Sequence, residues 1–211
     1  MTKHGPHMHK SSTPIGVTKG WKDSLTVEVD GPNGKSEFAG FDCVLFAVGR
    51  QTVGPALGLD KAGVSVDAHG LIIVDEFERT SSPSVLALGD CTNTGYELTP
   101  VAIAAGRRLA DRLFGGEPRA RIAYEQIATV VFSHPPIGTI GLTEPDARKE
   151  FGDDQIAVKQ ARFASMLYAF SKDEGKVKTA LKLVLAGPEE RIVGLHCIGP
   201  FCDEMLQGFA V

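Results

Sequence analysis

Thr80-Ser81-Ser82-Pro83-Ser84-Val85-Leu86-Ala87-Leu88-Gly89-Asp90 carries a short apolar run, Val85 to Leu88, that closes on a glycine and then a carboxylate. Such a run reads as a strand buried on both faces of an α/β sheet. Ligands of these sheets bind outside the carboxyl ends of the strands. Gly89, which permits close backbone approach, and Asp90, which can accept a hydrogen bond from a sugar-like hydroxyl, are therefore candidate binding residues. Taken alone, a strand ending in Gly-Asp is more often a plain turn.

The segment that follows changes that balance. Thr99-Pro100 starts the best helix in the sequence: Thr99 can cap, Pro100 suits the first helical position, and Val101, Ala105, Leu109 and Leu113 form an i, i+4 stripe. Gly115-Gly116 ends it. The helix start turns free amides and the positive end of its dipole toward the same sheet edge, where an anion would be stabilised. A capped helix packed on a sheet would use the same residues.

Upstream, Leu25 to Val29 alternates as a strand, Gly31-Pro32-Asn33-Gly34 supplies a turn, and Lys35 to Phe38 returns antiparallel. Val44 to Val48 is an apolar run ending in Gly49, expected to be a second buried strand. Gly63 to Val66 and Leu71 to Val74 are short strand candidates around Asp67 to Gly70. Thr2 to Pro6 reads as the tail of a helix and His7 to His9 as a strand, so the chain is expected to begin in mid-domain.

Downstream the pattern turns strand-rich: Thr129 to Phe132, Gly138 to Leu142, Ile156 to Phe163, Val177 to Leu185 and Ile192 to Ile198. The last two meet at Gly187-Pro188-Glu189-Glu190, which implies an antiparallel sheet. Thr143 starts a short helix through Phe151, with Asp146 three residues on as an approximate capping box. Asp203 to Val211 reads as a helix of about two turns without a C-cap, so the chain is expected to end inside an element.

Composition sets the outer limits. Of 211 residues, 43% are apolar and 23% charged, and the net charge is −4, which leaves no global basic field for nucleic acid or anionic lipid. No apolar run approaches a membrane span. Cys43, Cys91, Cys197 and Cys202 read as reduced thiols in a chain that needs no staples; Gly199-Pro200 separates the last two, against a redox pair. His4, His7 and His9 lack a fourth ligand nearby, so no metal is expected. His134-Pro135 reads as a turn or a cis-proline. A cytoplasmic location fits, as would a mitochondrion or plastid.

Thr80 to Asp90, followed by Glu97-Leu98-Thr99-Pro100-Val101-Ala102-Ile103-Ala104-Ala105-Gly106-Arg107, resembles the second FAD-binding segment of the pyridine-nucleotide disulfide oxidoreductases. Thr129 to Gly138 and Cys202 to Val211 are similar to the branch of that family that acts on glutathione disulfide. The resemblance covers essentially the whole chain. It implies a mixed α/β and α+β fold: the end of an NADPH-binding domain over residues 1–58, the C-terminal segment of an FAD-binding domain over 59–122, and a truncated antiparallel-sheet dimerisation domain over 123–211.

Position by position, the resemblance implies that Asp90, with Gly89, binds the ribityl chain of FAD, and that Leu98 and Thr99 bring backbone amides to the flavin edge. It places Gly49, Glu97 and Val130 on the NADPH side, and gives Arg107 a carboxylate of glutathione, a role that suits a two-pronged guanidinium. The loop Cys91 to Tyr96 is one residue longer than the family spacing, which loosens the match at Glu97.

The family's dinucleotide fingerprint, redox cysteine pair and catalytic His-Glu pair do not occur in these residues, so no catalytic residue is assigned. The expected function is part of an NADPH-dependent flavoprotein that reduces glutathione disulfide as a homodimer, the chain alone being inactive. The alternatives are a part of a related reductase acting on dihydrolipoamide, thioredoxin or trypanothione, and a non-catalytic interaction module.

Overall fold

A computed structural model describes residues 5–172 and 175–210. It divides into two compact units, one formed by Met1–Phe46 with Glu125–Val211 and the other by Ala47–Tyr124.

In the first unit, β1 (Thr13–Lys19), β2 (Leu25–Gly31) and β3 (Gly34–Phe41) form an antiparallel meander in the order β1-β2-β3. The β2–β3 hairpin is the one its alternation and Gly-Pro-Asn-Gly turn predict, with Gly31 opposite Gly34. β1 was not legible: Pro14 interrupts its pattern, and the register shifts between Pro14 and Gly16. The strand expected over His7 to His9 is instead irregular, and the His9 ring lies 4.3 Å from that of Phe38. Of the helix tail expected over Thr2 to Pro6, Thr2 to His4 lie outside the described residues, as does Val211.

The larger sheet of this unit contains β4 (Thr129–Val131), β5 (Ile137–Gly141), β6 (Ile156–Ala164), β7 (Lys178–Ala186) and β8 (Arg191–Ile198), in the order β4-β5-β8-β7-β6, every pair antiparallel. The helices α2 (Glu144–Phe151) and α3 (Cys202–Phe209) take opposite faces. On one, Lys182 and His196 are cross-strand partners and Lys182 Nζ reaches Glu144 of α2 at 2.7 Å. On the other, Gly138 and Cys197 are partners beneath the fully buried Leu206 of α3. A strand's alternation sends neighbouring residues to opposite faces, which explains why His196 and Cys197 serve different helices. Thr143 caps α2 as read, accepting from the Asp146 amide at 3.3 Å. The His134-Pro135 peptide is cis.

In the second unit, α1 (Thr99–Phe114) is the one long helix. Val101 and Ala105 of the expected stripe are buried, but Leu113 is half-exposed. Val64, Ile72 and Ala87 form a small core, with Leu59, Val74 and Val85 against it. The strands expected at Gly63 to Val66, Leu71 to Val74 and Val85 to Leu88 are reduced to isolated bridges: Val66 with Ile72, Ile72 with Thr92, and Arg79 with Leu86. Val44 to Val48 forms no strand, and Leu45 and Val48 are 86% and 82% exposed. A buried strand draws its hydrogen bonds from neighbours on both sides, and none of the described residues provides them here.

Candidate functional site

The chemistry-bearing residues of the second unit gather around one turn. Gly89–Cys91 forms a single 3-10 turn, entered from extended Leu88. Gly89 takes φ +77°, a left-handed conformation that glycine adopts without strain, and a Cβ there would come 3.2 Å from the Ala102 methyl of α1. The glycine thus lets the turn approach the helix.

Buried Thr92 fastens the turn: its amide and hydroxyl both donate to the Gly89 carbonyl, at 3.0 and 2.7 Å. The core strap Ile72 holds the next step, donating to the Cys91 carbonyl at 2.8 Å and accepting from the Asn93 amide at 3.1 Å.

Asp90 projects from this anchored turn. Its Oδ2 accepts from Arg50 Nη1 at 2.8 Å, and its side chain keeps 39% of its exposure. Among the described residues Oδ1 has no partner, so one oxygen is held and the other is free to accept a hydroxyl.

Helix α1 begins beside the turn. Leu98, in the extended conformation, occupies the N-cap, and Thr99 and Pro100 are the first two helical residues. Thr99, expected at the cap, is instead the first helical residue. Leu98 has no side-chain oxygen, so the helix start is uncapped. The Leu98 carbonyl accepts from the amides of Val101 and Ala102, whereas the Thr99 amide has no acceptor among the described residues. An unspent donor on the positive end of a 16-residue helix suits an electron-rich carbonyl or an anion.

The other expected residues fall as follows. Gly49, at φ +116°, and Arg50 lie in an irregular segment of this unit. Glu97 is exposed just before the helix start. Arg107 stands exposed on α1 without a partner among the described residues, while the adjacent Arg108 pairs with Asp111 at 3.3 Å. Val130 lies half-buried on β4, in the other unit. The structure therefore gathers Gly89, Asp90, Leu98 and Thr99.

Arg50 joins these residues without a signal of its own as a binding residue in the sequence. It stands directly after Gly49 in Ala47-Val48-Gly49-Arg50, and nothing local tells that its guanidinium reaches a residue 40 positions away.

Two family models match the chain. That of the pyridine nucleotide-disulphide oxidoreductases covers residues 1–106, and the dimerisation domain of the same enzymes covers residues 127–211. The chain belongs to the pyridine nucleotide-disulphide oxidoreductase family. A glutathione reductase of Schizosaccharomyces pombe is 51% identical over 170 residues, which make up 81% of this chain and 36% of that protein. The chain thus spans about a third of the length of this curated relative. For a pyridine nucleotide-disulphide oxidoreductase the five-stranded sheet with α2 and α3 is the dimerisation domain, and the matched span 1–106 includes the turn at Asp90 and the start of α1.

Proposed function

We propose that residues 1–211 supply one side of the FAD site and the dimerisation sheet of an NADPH-dependent glutathione-disulfide reductase. What carries the reading is the neighbourhood of an anchored carboxylate, Asp90, and an unspent helix-start amide, Thr99, on two elements that Gly89 lets approach. The residues present fit FAD: the free Oδ1 of Asp90 accepts a ribityl hydroxyl, and the Thr99 amide, with that of Leu98, donates to the electron-rich edge of the flavin ring.

When bound, FAD supplies the two-electron chemistry that links a pyridine nucleotide to a disulfide. The chain's own residues bind and orient. Gly49, Glu97 and Val130 belong to the NADPH side of this reading. Arg107, exposed and without a partner among the described residues, offers a guanidinium to a glutathione carboxylate. The 51% identity to the Schizosaccharomyces pombe glutathione reductase supports the choice of glutathione over dihydrolipoamide, thioredoxin or trypanothione. Within this reading residues 1–58, 59–122 and 123–211 divide between NADPH-binding, FAD-binding and dimerisation domains, and the working unit is a homodimer.

No flavin-facing cysteine pair exists in these residues: Cys197 and Cys202 are buried and free. The 211-residue chain is therefore expected to give no NADPH-dependent reduction of glutathione disulfide by itself. Full turnover from it would sink the reading. Exchanged for the aligned segment of the Schizosaccharomyces pombe enzyme, it should sustain flavin absorbance and turnover with glutathione disulfide. In that exchange Arg107→Ala should raise KM for glutathione disulfide about tenfold and leave that for NADPH unchanged. A preference for dihydrolipoamide, thioredoxin or trypanothione disulfide would refute the choice of substrate.

A further inference from the structure

The end of α1 and the turn that follows it shape a pocket of about 590 Å³, lined by Arg108, Asp111, Glu117, Arg119, Ala120 and Arg121. Small-molecule sites span roughly 300–1,000 Å³, so the space suits a ligand of a few residues' size. Its wall is fixed from behind. The Asp111 carbonyl accepts from the amides of Gly115 and Glu117 at 2.9 and 3.2 Å, and the Ala120 amide closes a turn on the Glu117 carbonyl at 2.9 Å. The Ala120 carbonyl in turn accepts from Arg112 Nη1 at 2.8 Å, and the same guanidinium is anchored on fully buried Glu78. The lining side chains thus stand on a backbone held in place.

The charges on this wall are of both signs and unevenly spent. Arg108 Nη1 pairs with Asp111, and Arg121 Nη1 with Glu76, each at 3.3 Å. A guanidinium carries five N–H donors, so both keep some to offer. Glu117 and Arg119, two positions apart, line the same pocket, yet neither side chain has a partner among the described residues. A plain anion would meet Asp111 and Glu117, and a plain cation would meet three arginines; either juxtaposition is repulsive. A ligand with both signs answers both. The C-terminal end of the α1 dipole adds a preference for an ammonium on the Asp111 side. Guanidiniums outnumber carboxylates three to two in the wall, so the ligand carries more carboxylates than ammonium groups. We propose that this pocket binds a short peptide-like zwitterion with two carboxylates and one ammonium: Arg119, with Arg108 and Arg121, grips the carboxylates, and Glu117 accepts from the ammonium.

The test titrates the ¹⁵N-labelled 211-residue chain with γ-glutamylglycine, which has this charge pattern, and with glutarylglycine, the same skeleton without the ammonium. The amides of Asp111, Glu117 and Ala120 report on the pocket, and those of buried Val64 and Ala105 on an intact fold of the same unit. Saturable shifts at the first three are expected with γ-glutamylglycine, and binding of glutarylglycine should be roughly fivefold weaker. Arg119→Gln should weaken both ligands about fivefold. Glu117→Gln should weaken γ-glutamylglycine alone and so close the gap between the two. Both substitutions are at exposed positions and leave the Arg112–Glu78 anchor in place. Glutarylglycine binding as tightly as γ-glutamylglycine, or inorganic pyrophosphate shifting the same amides at lower concentration than either, would make the pocket a plain anion site and overturn the proposal. Shifts that survive both substitutions would place the ligand elsewhere, and unmoved amides at Asp111, Glu117 and Ala120 would mean no site; either result refutes it.

Discussion

Arg112 Nη1 and Nη2 both donate to Oε2 of Glu78, each at 3.1 Å, and neither residue has appreciable access to solvent: Glu78 is 0% exposed and the Arg112 side chain 7%. Arg112 also donates to the carbonyls of Phe77 and Ala120, and its guanidinium lies 5.4 Å from the centre of the Phe77 ring. One side chain from the end of α1 thereby fastens two loops of the second unit. The Oε1 atom of Glu78 is buried without a partner among the described residues, and the residue sits at φ +55°, outside the usual range for a side chain of its kind.

Removing one member of such a pair strands the other. Arg112→Leu is expected to destabilise the second unit by about 3–5 kcal/mol, because Glu78 and two carbonyls lose their donor. Glu78→Met combined with Arg112→Leu should cost less than Arg112→Leu alone. Urea titrations of the three variants measure this, and equal losses would remove the ion pair as the cause.

Glu78 and Glu144 should give stability opposite dependences on pH. Burial pushes the Glu78 carboxyl above its ordinary 4.5 despite the Arg112 hydrogen bonds. Its folded pKa exceeds the unfolded one, so its contribution is full below the ordinary carboxylate range and is lost as pH rises through the folded value. Hydrogen bonds from Lys182 and then Arg148 hold Glu144 below the ordinary value. Its contribution is present above that range and is lost as pH falls through the lowered folded value. In thermal melts from pH 3 to 8, the advantage of the parent over Glu78→Gln should shrink with rising pH, and that over Glu144→Gln with falling pH. Parallel curves would contradict both assignments.

Gly141 and Gly194 are cross-strand partners of β5 and β8 where no side chain fits. A Cβ at Gly194 would strike the Leu142 carbonyl, and one at Gly141 that of Val193. The Leu142 amide donates to Val193 at 2.8 Å across the same junction. Gly194→Ala should therefore cost about 2–3 kcal/mol by forcing the strands apart, read as a lower melting temperature of the five-stranded sheet. Gly187→Ala, in open space at the β7–β8 turn but at φ +73°, should cost only about 1 kcal/mol.

The four thiols should divide into two classes. Cys43 and Cys91 are exposed, whereas Cys197 and Cys202 are buried. Burial, with the Cys197 contact second, pushes the Cys202 thiol up to about 12, so almost none of it is thiolate at pH 8. Reaction of the native chain with Ellman's reagent is expected to show two fast and two slow equivalents, merging into one phase in denaturant. Four fast equivalents from the folded protein would show that the Gly138–Leu206 side of the sheet is open.

Short-range pattern determined much of this protein. The alternation of β2 and β3, the strands β5 to β8, the capping of α2 by Thr143 and the extent of α1 are set within windows of a few residues, where side-chain period and turn chemistry act. The ordered motifs from Thr80 through Arg107 to Cys202 likewise carried the family without coordinates. Tertiary structure alone decided the rest. Val44 to Val48 and Val85 to Leu88 have the composition of buried strands, yet a strand exists only where neighbours complete its hydrogen bonds, and those neighbours are not set by the run itself. Leu98 rather than Thr99 became the N-cap because backbone direction at the helix start, not side-chain type, fixed the first turn. The Arg50–Asp90 and Arg112–Glu78 pairs join residues 40 and 34 positions apart. A charge in sequence is a solvated charge by default, and only the fold brings in the partner that makes it part of a site or a core.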